Sequence, residues 1–273
     1  MRSYFGVQLK QIEAMGVSSM SQSEKAAVPL NASLLLAGIA LGVAVAAGLL
    51  MMLAGVGSRL GWWHFRTGFT LLGYGAYGGI GAALLGFLGA ILAARKRQLS
   101  GIVVAILAVV TGLVATAVPV SWRMTARKLP AIHDISTDTV RPPQFVAILP
   151  LRKDSPNPAV YGGPEVAEQQ KRAYADLRTE VLDVPSGLAY DRALSTARAM
   201  GWRIVATEPA EGRIEATDTT FWFGFIDDVV IRIVPAGDRT LVDIRSVSRV
   251  GKSDVGANAR RIREYLKRLR AYK

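Results

Sequence analysis

The sequence predicts an α-helical membrane region of three transmembrane helices, followed by an α+β two-layer domain with a mainly antiparallel sheet. Three apolar stretches carry no charged side chain for about 20 residues or more, the length that crosses about 30 Å of hydrocarbon. They are Leu34–Val56, Phe69–Ala94 and Ile102–Trp122. After them, short alternating apolar segments separated by turn residues are typical of strands. These observations divide the chain into a membrane part and a water-soluble part.

The distribution of charge follows the same division. We predict an N-terminal tail (1–33), a membrane domain (34–128) and a soluble α+β domain (129–273). The formal charge is +12, but residues 1–128 hold 11 of the 33 Lys and Arg residues and only two of the 21 acidic residues. Residues 129–273 have an excess of +3, and residues 257–273 alone have seven Lys and Arg against one Glu, so the rest of the soluble domain is slightly acidic. The positive charge lies next to the spans and on one helix, and it does not form a broad basic face. We therefore predict no nucleic-acid binding.

The scarcity of metal-binding and nucleophilic side chains narrows the chemistry. The chain has no cysteine, so disulfides, thiolate zinc sites, iron–sulfur clusters and cysteine nucleophiles are excluded. Its two histidines are His64, in a predicted membrane loop, and His133, so a site with several histidines in the soluble domain is excluded as well. We therefore expect no cofactor and no metal.

Lys and Arg residues near the ends of the spans predict the orientation of the chain. Arg95, Lys96 and Arg97 occupy a very short turn after the second span, whereas the opposite ends carry a similar number of more scattered charges. Because a tight cluster in a short loop is a strong retention signal, we place this turn and the amino terminus inside. Three spans then place the soluble domain outside, in a periplasmic or other extracytoplasmic space.

The second span is unusually rich in glycine. Gly75 and Gly79 are four residues apart, so another helix can approach closely along their face. We expect this face to pack against the other helices of the same chain, and it is also the predicted surface for a homo-oligomer. No span contains a charged residue, which argues against an ion or substrate pathway. The three helices are therefore interpreted as an anchor whose partner is the lipid bilayer.

The soluble part is predicted to begin with an ordered but irregular, proline-rich arm that is neither strand nor helix. The elements that follow it are helix Glu165–Asp176, strand Glu180–Val184, a helix capped by Ser186 and running to Met200, strands Trp202–Thr207, Arg213–Thr219, Asp228–Val234 and Thr240–Ser248, and a basic amphipathic helix Ala257–Leu269. This order predicts a sheet with two helices on one face.

The soluble domain also contains several distinctive blocks of sequence. They are Ile132–Asp138 with Pro142-Pro143, Glu215–Asp218, Phe223–Phe225 with Asp227–Arg232, and Asp243–Asp254 with Gly256 and Asn258. Together they resemble the bacterial family called domain of unknown function 1499, over about Leu129–Leu269. The resemblance implies a bacterial protein, here a multi-pass protein of the cytoplasmic (inner) membrane. It implies no activity, cofactor or catalytic residue.

One candidate site is an anion-binding site at the end of the last strand. Gly251-Lys252-Ser253 is similar to the end of a phosphate-binding loop, but Ser246 stands where that motif needs glycine, so nucleotide hydrolysis is not expected. A simpler anion site would use Arg245, Arg249, Lys252 and Ser253 with the start of the following helix. The anion would be a lipid phosphate or a cell-envelope polymer. The alternative is ion pairing of these residues with Asp243, Asp227 or Asp254.

A second candidate is a polar cluster of His133, Asp134, Asp218, Asp227 and Asp228. Such residues could gather as an acid/base pair or as an oxygen-ligand metal site. The alternative is structural pairing, with Arg232 or Arg245 as the partner of Asp218. A serine triad is not expected, because the sequence lacks a nucleophile elbow.

The densest aromatic run is Phe221, Trp222, Phe223 and Phe225. It is predicted either to belong to a core or to lie exposed, where it would enter the membrane interface or hold an apolar ligand.

These observations favour an integral membrane protein that is a non-enzymatic, membrane-anchored module. Its predicted ligand is an envelope component, a lipid or a partner protein of the membrane or envelope. The alternative is a membrane-bound hydrolase that uses the Asp and His residues of the soluble domain. Placement of His133, Asp134 and Asp218 in one pocket would favour the enzyme, whereas their dispersal beside an exposed aromatic or basic patch would favour binding.

Overall fold

A computed structural model of the protein describes residues 31–271. The predicted N-terminal tail (1–33) therefore lies outside the described residues, except for its last three positions.

Three long helices form the membrane region, as predicted. They are α1 (Ala32–Arg59), α2 (Phe65–Arg95) and α3 (Leu99–Lys128), each long and apolar enough to cross a membrane. The predicted spans lie within them, and the helices extend beyond the apolar stretches at both ends. Because the connections are only a few residues long, neighbouring helices run in opposite directions. The turn at 60–64 and the end of α3 therefore share one end of the bundle, and the turn at 96–98 lies at the other.

Small residues bring the three helices together. Gly75 packs against Met51 of α1, and Gly79 packs against Gly112 and Thr116 of α3. The predicted packing of this face within the chain is therefore what the structure shows. A homo-oligomer through the same face would have to displace α1 or α3, because no space is left beside these glycines.

The soluble domain is built on one six-stranded antiparallel sheet. Its elements are β1 (Asp134–Ser136), α4 (Gly163–Ala173), β2 (Glu180–Leu182), α5 (Ser186–Ala199), β3 (Arg203–Glu208), β4 (Arg213–Thr219), β5 (Ile226–Ala236), β6 (Arg239–Ser248) and α6 (Ala257–Ala271). The strand order is β1-β6-β5-β4-β3, and β2 also pairs with β6. The mainly antiparallel α+β fold is thus confirmed. Ser186 is the first helical residue of α5 instead of its cap, because Pro185 occupies the capping position in an extended conformation.

One face of the sheet carries α5 and α6, as expected from the order of elements. Alternate residues of the central strands, such as Ile214, Ile231 and Ile244, face these helices and form the main apolar core. Between the two helices, the hydroxyl of Tyr265 donates to the carbonyl oxygen of Ala193 at 3.0 Å. This core fixes which side chains of each strand point to the opposite face.

The opposite face is covered by the arm, which we define as residues 137–162. Phe145 and Ile148 of the arm pack against Val230 and Val247 of the sheet. The prediction of a wholly irregular segment after the anchor was wrong, because β1 and a 3-10 turn at Leu149–Arg152 lie within it. β1 has only three residues, too few for an alternating pattern to be recognised.

The aromatic run joins the soluble domain to the membrane helices. Phe223 is buried and stacks on Phe225 with ring centroids 5.4 Å apart. Phe65 and Phe69 of α2 contact these two rings at centroid distances of 5.6 Å and 5.1 Å, to Phe225 and Phe223 respectively. Phe223 and Phe225 therefore belong to a core, which was one of the two alternatives predicted for the run. This core lies at the junction between the two domains.

Phe221, the first member of the run, is different. Its ring is 91% exposed, beside the Arg59 guanidinium at the end of α1. Arg59 donates hydrogen bonds to the carbonyl oxygens of Thr220 and Phe221, which ties this loop to α1.

Candidate functional site

The sheet separates the predicted polar cluster into two groups. Asp134 and Asp228 lie on the face covered by the arm, whereas Asp218 and Asp227 lie on the face covered by α6. The strand register explains this outcome, because Asp218 pairs with Asp227 in adjacent strands and Asp228 is the next residue, pointing the other way. The cluster therefore does not gather at one site.

Under the arm, Asp134 is engaged by one buried arginine. Arg245 donates to both carboxylate oxygens of Asp134 at 2.9 and 2.7 Å, and its remaining N–H groups reach the carbonyl oxygens of Pro143 and Ala159. Burial raises the pKa of Asp134, against the hydrogen bonds and charge of Arg245, which lower it. Four of the five N–H groups of this fully buried guanidinium are thus bonded to the protein itself, which leaves it poorly suited to hold a ligand.

Tyr161 closes the other side of this arginine. Its ring lies over the Arg245 guanidinium at 5.4 Å, and burial together with the charge of Asp134 raises the pKa of Tyr161 to about 12. The phenol therefore stays protonated near neutral pH, which makes it unsuited to act as a general base.

Asp228 is shared by two arginines. Arg152 of the arm donates to it at 2.6 Å, and Arg249 donates to both of its oxygens at 2.9 Å. The carboxylate and Arg152 are buried, and Arg249 is slightly exposed. Two guanidinium groups on one carboxylate leave an excess positive charge, and Arg249 places it next to the junction with the membrane helices.

On the other face, Arg261 of α6 holds both remaining carboxylates. It donates to Asp218 at 2.7 Å and to Asp227 at 2.5 Å. The prediction that Arg232 or Arg245 pairs with Asp218 was wrong, because the side chains of both arginines point to the arm face of the sheet. The charge of Asp218 and Asp227 is nevertheless compensated, as a structural role requires.

His133 does not complete a catalytic group. Its Nδ1 lies 3.4 Å from the carbonyl oxygen of Lys252, and it lines the same small pocket as Asp134, from which Asp218 is absent. Within residues 31–271, no group of three or more His, Asp or Glu side chains is placed to hold a metal ion.

The site with uncommitted charges lies at the junction of the two domains. We call it the junction crevice, an open groove of about 630 Å³ between the start of α2, the arm and the loop after β6. Its polar lining residues are His64, Arg66, Asn157, Lys252 and Ser253, and its apolar lining includes Phe65 and Phe69.

The α2 side of the junction crevice is set by the first turn of that helix. His64 takes the capping position, and its Nδ1 accepts a hydrogen bond from the Arg66 backbone N–H at 3.3 Å. Phe65 and Phe69 are four residues apart and so lie on one side of the helix. The Arg66 side chain is exposed at the mouth of the groove.

The opposite wall is the loop after β6, which Asn157 holds in place. The Asn157 side-chain amide donates to the carbonyl oxygens of Ser248 and Gly251 at 3.0 and 2.9 Å. Gly251 has φ +95, a conformation that glycine adopts without strain and that turns the chain so that Lys252 is exposed at the groove. The two hydrogen bonds from Asn157 of the arm thus hold the loop in a conformation that exposes the Lys252 side chain to solvent.

The predicted anion-binding residues are divided by this geometry. Lys252 and Ser253 line the junction crevice, whereas Arg245 and Arg249 are bound to carboxylates. The start of α6 is not open to an anion, because Asp254 already accepts the backbone N–H groups of Gly256 and Asn258 at 2.8 and 2.7 Å. Burial raises the pKa of Asp254 in this capping position. Whether the residues bind an anion stays a prediction.

Electrostatics favour an anionic ligand in the junction crevice. Among the described residues that line it, none is Asp or Glu. Within residues 31–271, neither Arg66 nor Lys252 has an acidic partner at ion-pairing distance. An adjoining pocket of about 350 Å³ contains Arg249 and the exposed carboxylate of Asp154. The groove itself therefore has positive charge without internal compensation.

Sequence reasoning missed the half of the groove that belongs to the membrane domain. His64 was noted only as a loop residue, Arg66 was counted only among the scattered charges at the ends of the spans, and Phe65 precedes the apolar stretch that was recognised. A signal was present, since aromatic and cationic residues next to a span are typical of the membrane interface. Their proximity to Lys252 could not be seen, because about 190 positions of sequence separate them.

Comparison with known proteins identifies the family of the region that follows the three apolar helices. No curated protein matches its sequence. A family model described as "Protein of unknown function (DUF1499)" matches residues 134–269, which covers the soluble domain from β1 to the last turns of α6. With three apolar helices ahead of the matched region, this chain belongs to the DUF1499 family of proteins of unknown function.

Proposed function

We propose that this protein is a non-enzymatic, membrane-anchored module that binds an anionic ligand in the junction crevice. The observation that carries the proposal is the pair of uncommitted cations, Arg66 and Lys252, on facing walls of a groove whose described lining has no carboxylate. By contrast, the buried arginines of the soluble domain, Arg152, Arg245 and Arg261, are paired with Asp.

The state of the carboxylates supports binding over hydrolysis. An acid/base pair needs carboxylates whose protons can be exchanged with a substrate. Asp134, Asp227 and Asp228 are buried and bonded to arginines, and the pocket that His133 shares with Asp134 does not contain Asp218. The separation of Asp218 from His133 and Asp134 supports a binding module over a hydrolase.

The cellular setting is part of the proposal. We place the protein in the cytoplasmic membrane of a bacterium, with the soluble domain outside, because the Arg95-Lys96-Arg97 turn is at the opposite end of the helix bundle from that domain. The ligand would then be an envelope component, a lipid or an anionic segment of a partner protein.

The test uses the full-length protein in a neutral detergent and sn-glycero-3-phosphoglycerol as a soluble anionic probe. We expect the probe to bind the wild type, and the double variant Arg66→Gln/Lys252→Gln to bind roughly tenfold more weakly, since two charge-assisted contacts are lost. Isothermal titration calorimetry measures both affinities.

The matched control is Arg127→Gln/Lys153→Gln. It removes the same charge from exposed positions outside the groove, at the end of α3 and in the arm. Retained binding in the control with loss in the crevice variant supports the proposal. Equal affinities in all three proteins, or no binding to the wild type, would overturn it.

A further inference from the structure

The junction crevice continues into an apolar recess. The recess, of about 140 Å³, shares Phe65, Phe69 and Val250 with the groove and is extended by Phe225 and Val255. Asp227 and Asp254 also reach its wall, but the first is paired with Arg261 and the second caps α6. A cationic mouth that opens into an aromatic recess is complementary to an amphiphile, which has an anionic head and an apolar chain.

The length of α2 places this groove at the level of lipid phosphates. Its 31 residues span about 46 Å, whereas the hydrocarbon layer is about 30 Å thick. A centred helix therefore projects about 8 Å beyond the hydrocarbon at each end. Arg66, in the first turn, lies in the headgroup layer, and Phe69, about 4.5 Å farther along the axis, lies where the acyl chains begin.

Neighbouring aromatic residues mark the same level. Trp63 donates its indole N–H to the carbonyl oxygen of Ala54 at 3.1 Å, and Trp62 and Trp122 are about half exposed at the same end of the bundle. Tryptophan at the ends of membrane helices is typical of the boundary between headgroups and hydrocarbon. The groove therefore opens to the layer in which phospholipid is the surrounding solvent.

We propose that the junction crevice holds one anionic phospholipid from the leaflet on the side of the soluble domain. Its phosphate lies between Arg66 and Lys252, and the first part of an acyl chain lies along Phe65 and Phe69 toward the recess. This proposal rests on the proposed function, because it names the chemical class of the ligand of the same groove.

The charges of the groove select the class of lipid. A zwitterionic headgroup carries an ammonium group, and the described lining of the groove offers no carboxylate to receive it. Phosphatidylglycerol carries the phosphate without an ammonium group, so its charge is complementary to Arg66 and Lys252. We therefore expect anionic lipid to be retained in preference to phosphatidylcholine.

The experiment compares one headgroup with and without acyl chains. The full-length protein is reconstituted in bilayers of equal parts phosphatidylglycerol and phosphatidylcholine, extracted in a neutral detergent, and its retained lipids are counted by native mass spectrometry. The wild type is expected to retain phosphatidylglycerol at least about tenfold over phosphatidylcholine, and Arg66→Gln/Lys252→Gln is expected to lose this preference. The control Arg127→Gln/Lys153→Gln keeps it.

The soluble probe separates the two proposals. Phosphatidylglycerol that displaces sn-glycero-3-phosphoglycerol, and binds roughly tenfold or more tightly, supports the lipid ligand, since the chains add apolar contact. Binding of the soluble probe without retained phosphatidylglycerol overturns the lipid ligand and leaves the anion-binding function standing. Absence of binding in both assays overturns both proposals. Lipid retention unchanged in the crevice variant also overturns the lipid site.

Discussion

The indole ring of Trp222 lies directly against Gly55, so the soluble domain meets the first membrane helix at a position that has no side chain. The Trp222 indole N–H donates to the carbonyl oxygen of Met52 at 3.1 Å, and the ring packs against Trp122 of α3 with centroids 5.3 Å apart. A Cβ atom at position 55 would overlap the indole. The glycine thus lets α1 and the aromatic run of the soluble domain approach each other.

Replacement of Gly55 by alanine is expected to loosen this junction. Overpacking of a fitted contact costs about 1–3 kcal/mol, which corresponds to roughly 5-fold to 150-fold more frequent local opening. Hydrogen exchange of the full-length protein in detergent measures the effect in residues 219–226.

The matched control for this prediction is Gly38→Ala. Gly38 lies on the same helix, but open space surrounds the position of its missing Cβ. The control therefore gains the helix propensity of alanine without the overlap. Equal exchange rates in the two variants would contradict a close contact at Gly55.

Attachment of the arm depends on Glu215, whose carboxylate is fully buried on the arm face of the sheet. It accepts the backbone N–H groups of Val146, Ala147 and Ile148 at 2.9–3.0 Å, and it is paired with Arg213. Glu215→Gln replaces one acceptor oxygen by an amide donor, so at least one backbone N–H loses its partner.

We expect this change to cost about 1.5–3 kcal/mol, because the lost bonds are to a charged group in a buried place. Faster amide exchange at residues 145–152 would report the loosened arm. Glu211→Gln is the control, since Glu211 is exposed and binds the same arginine. Similar exchange in both variants would show that Glu215 does not hold the arm.

The first turn of the arm is expected to make folding sensitive to acid through Asp138. Burial alone would raise the pKa of Asp138, but the backbone N–H groups of Arg141 and Val140 and the Arg232 guanidinium hold its pKa below the usual range. The folded protein therefore retains the charge at a pH where the unfolded chain has become protonated, and stability decreases as pH falls from about 4 through the lower folded value.

The check is the thermal midpoint of the full-length protein in detergent at pH 6 and pH 3. Asp138→Asn is expected to lower the midpoint at pH 6, by the equivalent of about 1–2 kcal/mol, and to lower it less at pH 3. A deficit of the same size at both pH values would contradict a depressed pKa for Asp138.

Most elements of the fold could be predicted from the sequence because each depends on a local pattern, whereas β1 and the 3-10 turn at Leu149–Arg152 are too short to show one. β4 has the bounds Arg213–Thr219 that alternation predicted, and the three membrane helices contain their predicted spans. These features follow from apolar periodicity over neighbouring residues, which any single sequence displays.

The pairing of charges could not be predicted in the same way. Asp218 finds Arg261, 43 residues away on α6, and Arg152 of the arm finds Asp228, 76 residues away. Arg245 and Asp218 point to opposite faces of the sheet, and this became clear only from the register of the strands. Partners on different elements depend on how the helices and arm pack on the sheet, which the periodicity of one strand does not specify.

The candidate site is the extreme case of the same limit. Lys252 and Ser253 were identified from a local glycine-containing turn, whereas Arg66 was counted only among the scattered charges at the ends of the spans. The two walls meet because Phe65 and Phe69 of α2 pack against Phe223 and Phe225. An aromatic run in a turn can serve a core, a membrane or a ligand, and only its position distinguishes these roles.

The orientation of the chain gives a prediction that needs no ligand. The turn at 96–98 and the soluble domain lie at opposite ends of the helix bundle, so cysteines placed at each end should react from opposite sides of the membrane. The chain has no cysteine, which allows single substitutions without a background signal.

Asp238→Cys lies in the turn between β5 and β6, and Lys96→Cys lies in the turn between α2 and α3. The reagent is a membrane-impermeant maleimide, added to intact bacterial cells whose outer membrane has been made permeable. With the cationic turn inside, it is expected to label Asp238→Cys and to leave Lys96→Cys unlabelled. Disrupted membranes should allow labelling of both. Labelling of Lys96→Cys alone would reverse the orientation and place the junction crevice in the inner leaflet. Labelling of both variants in intact cells would contradict three membrane spans.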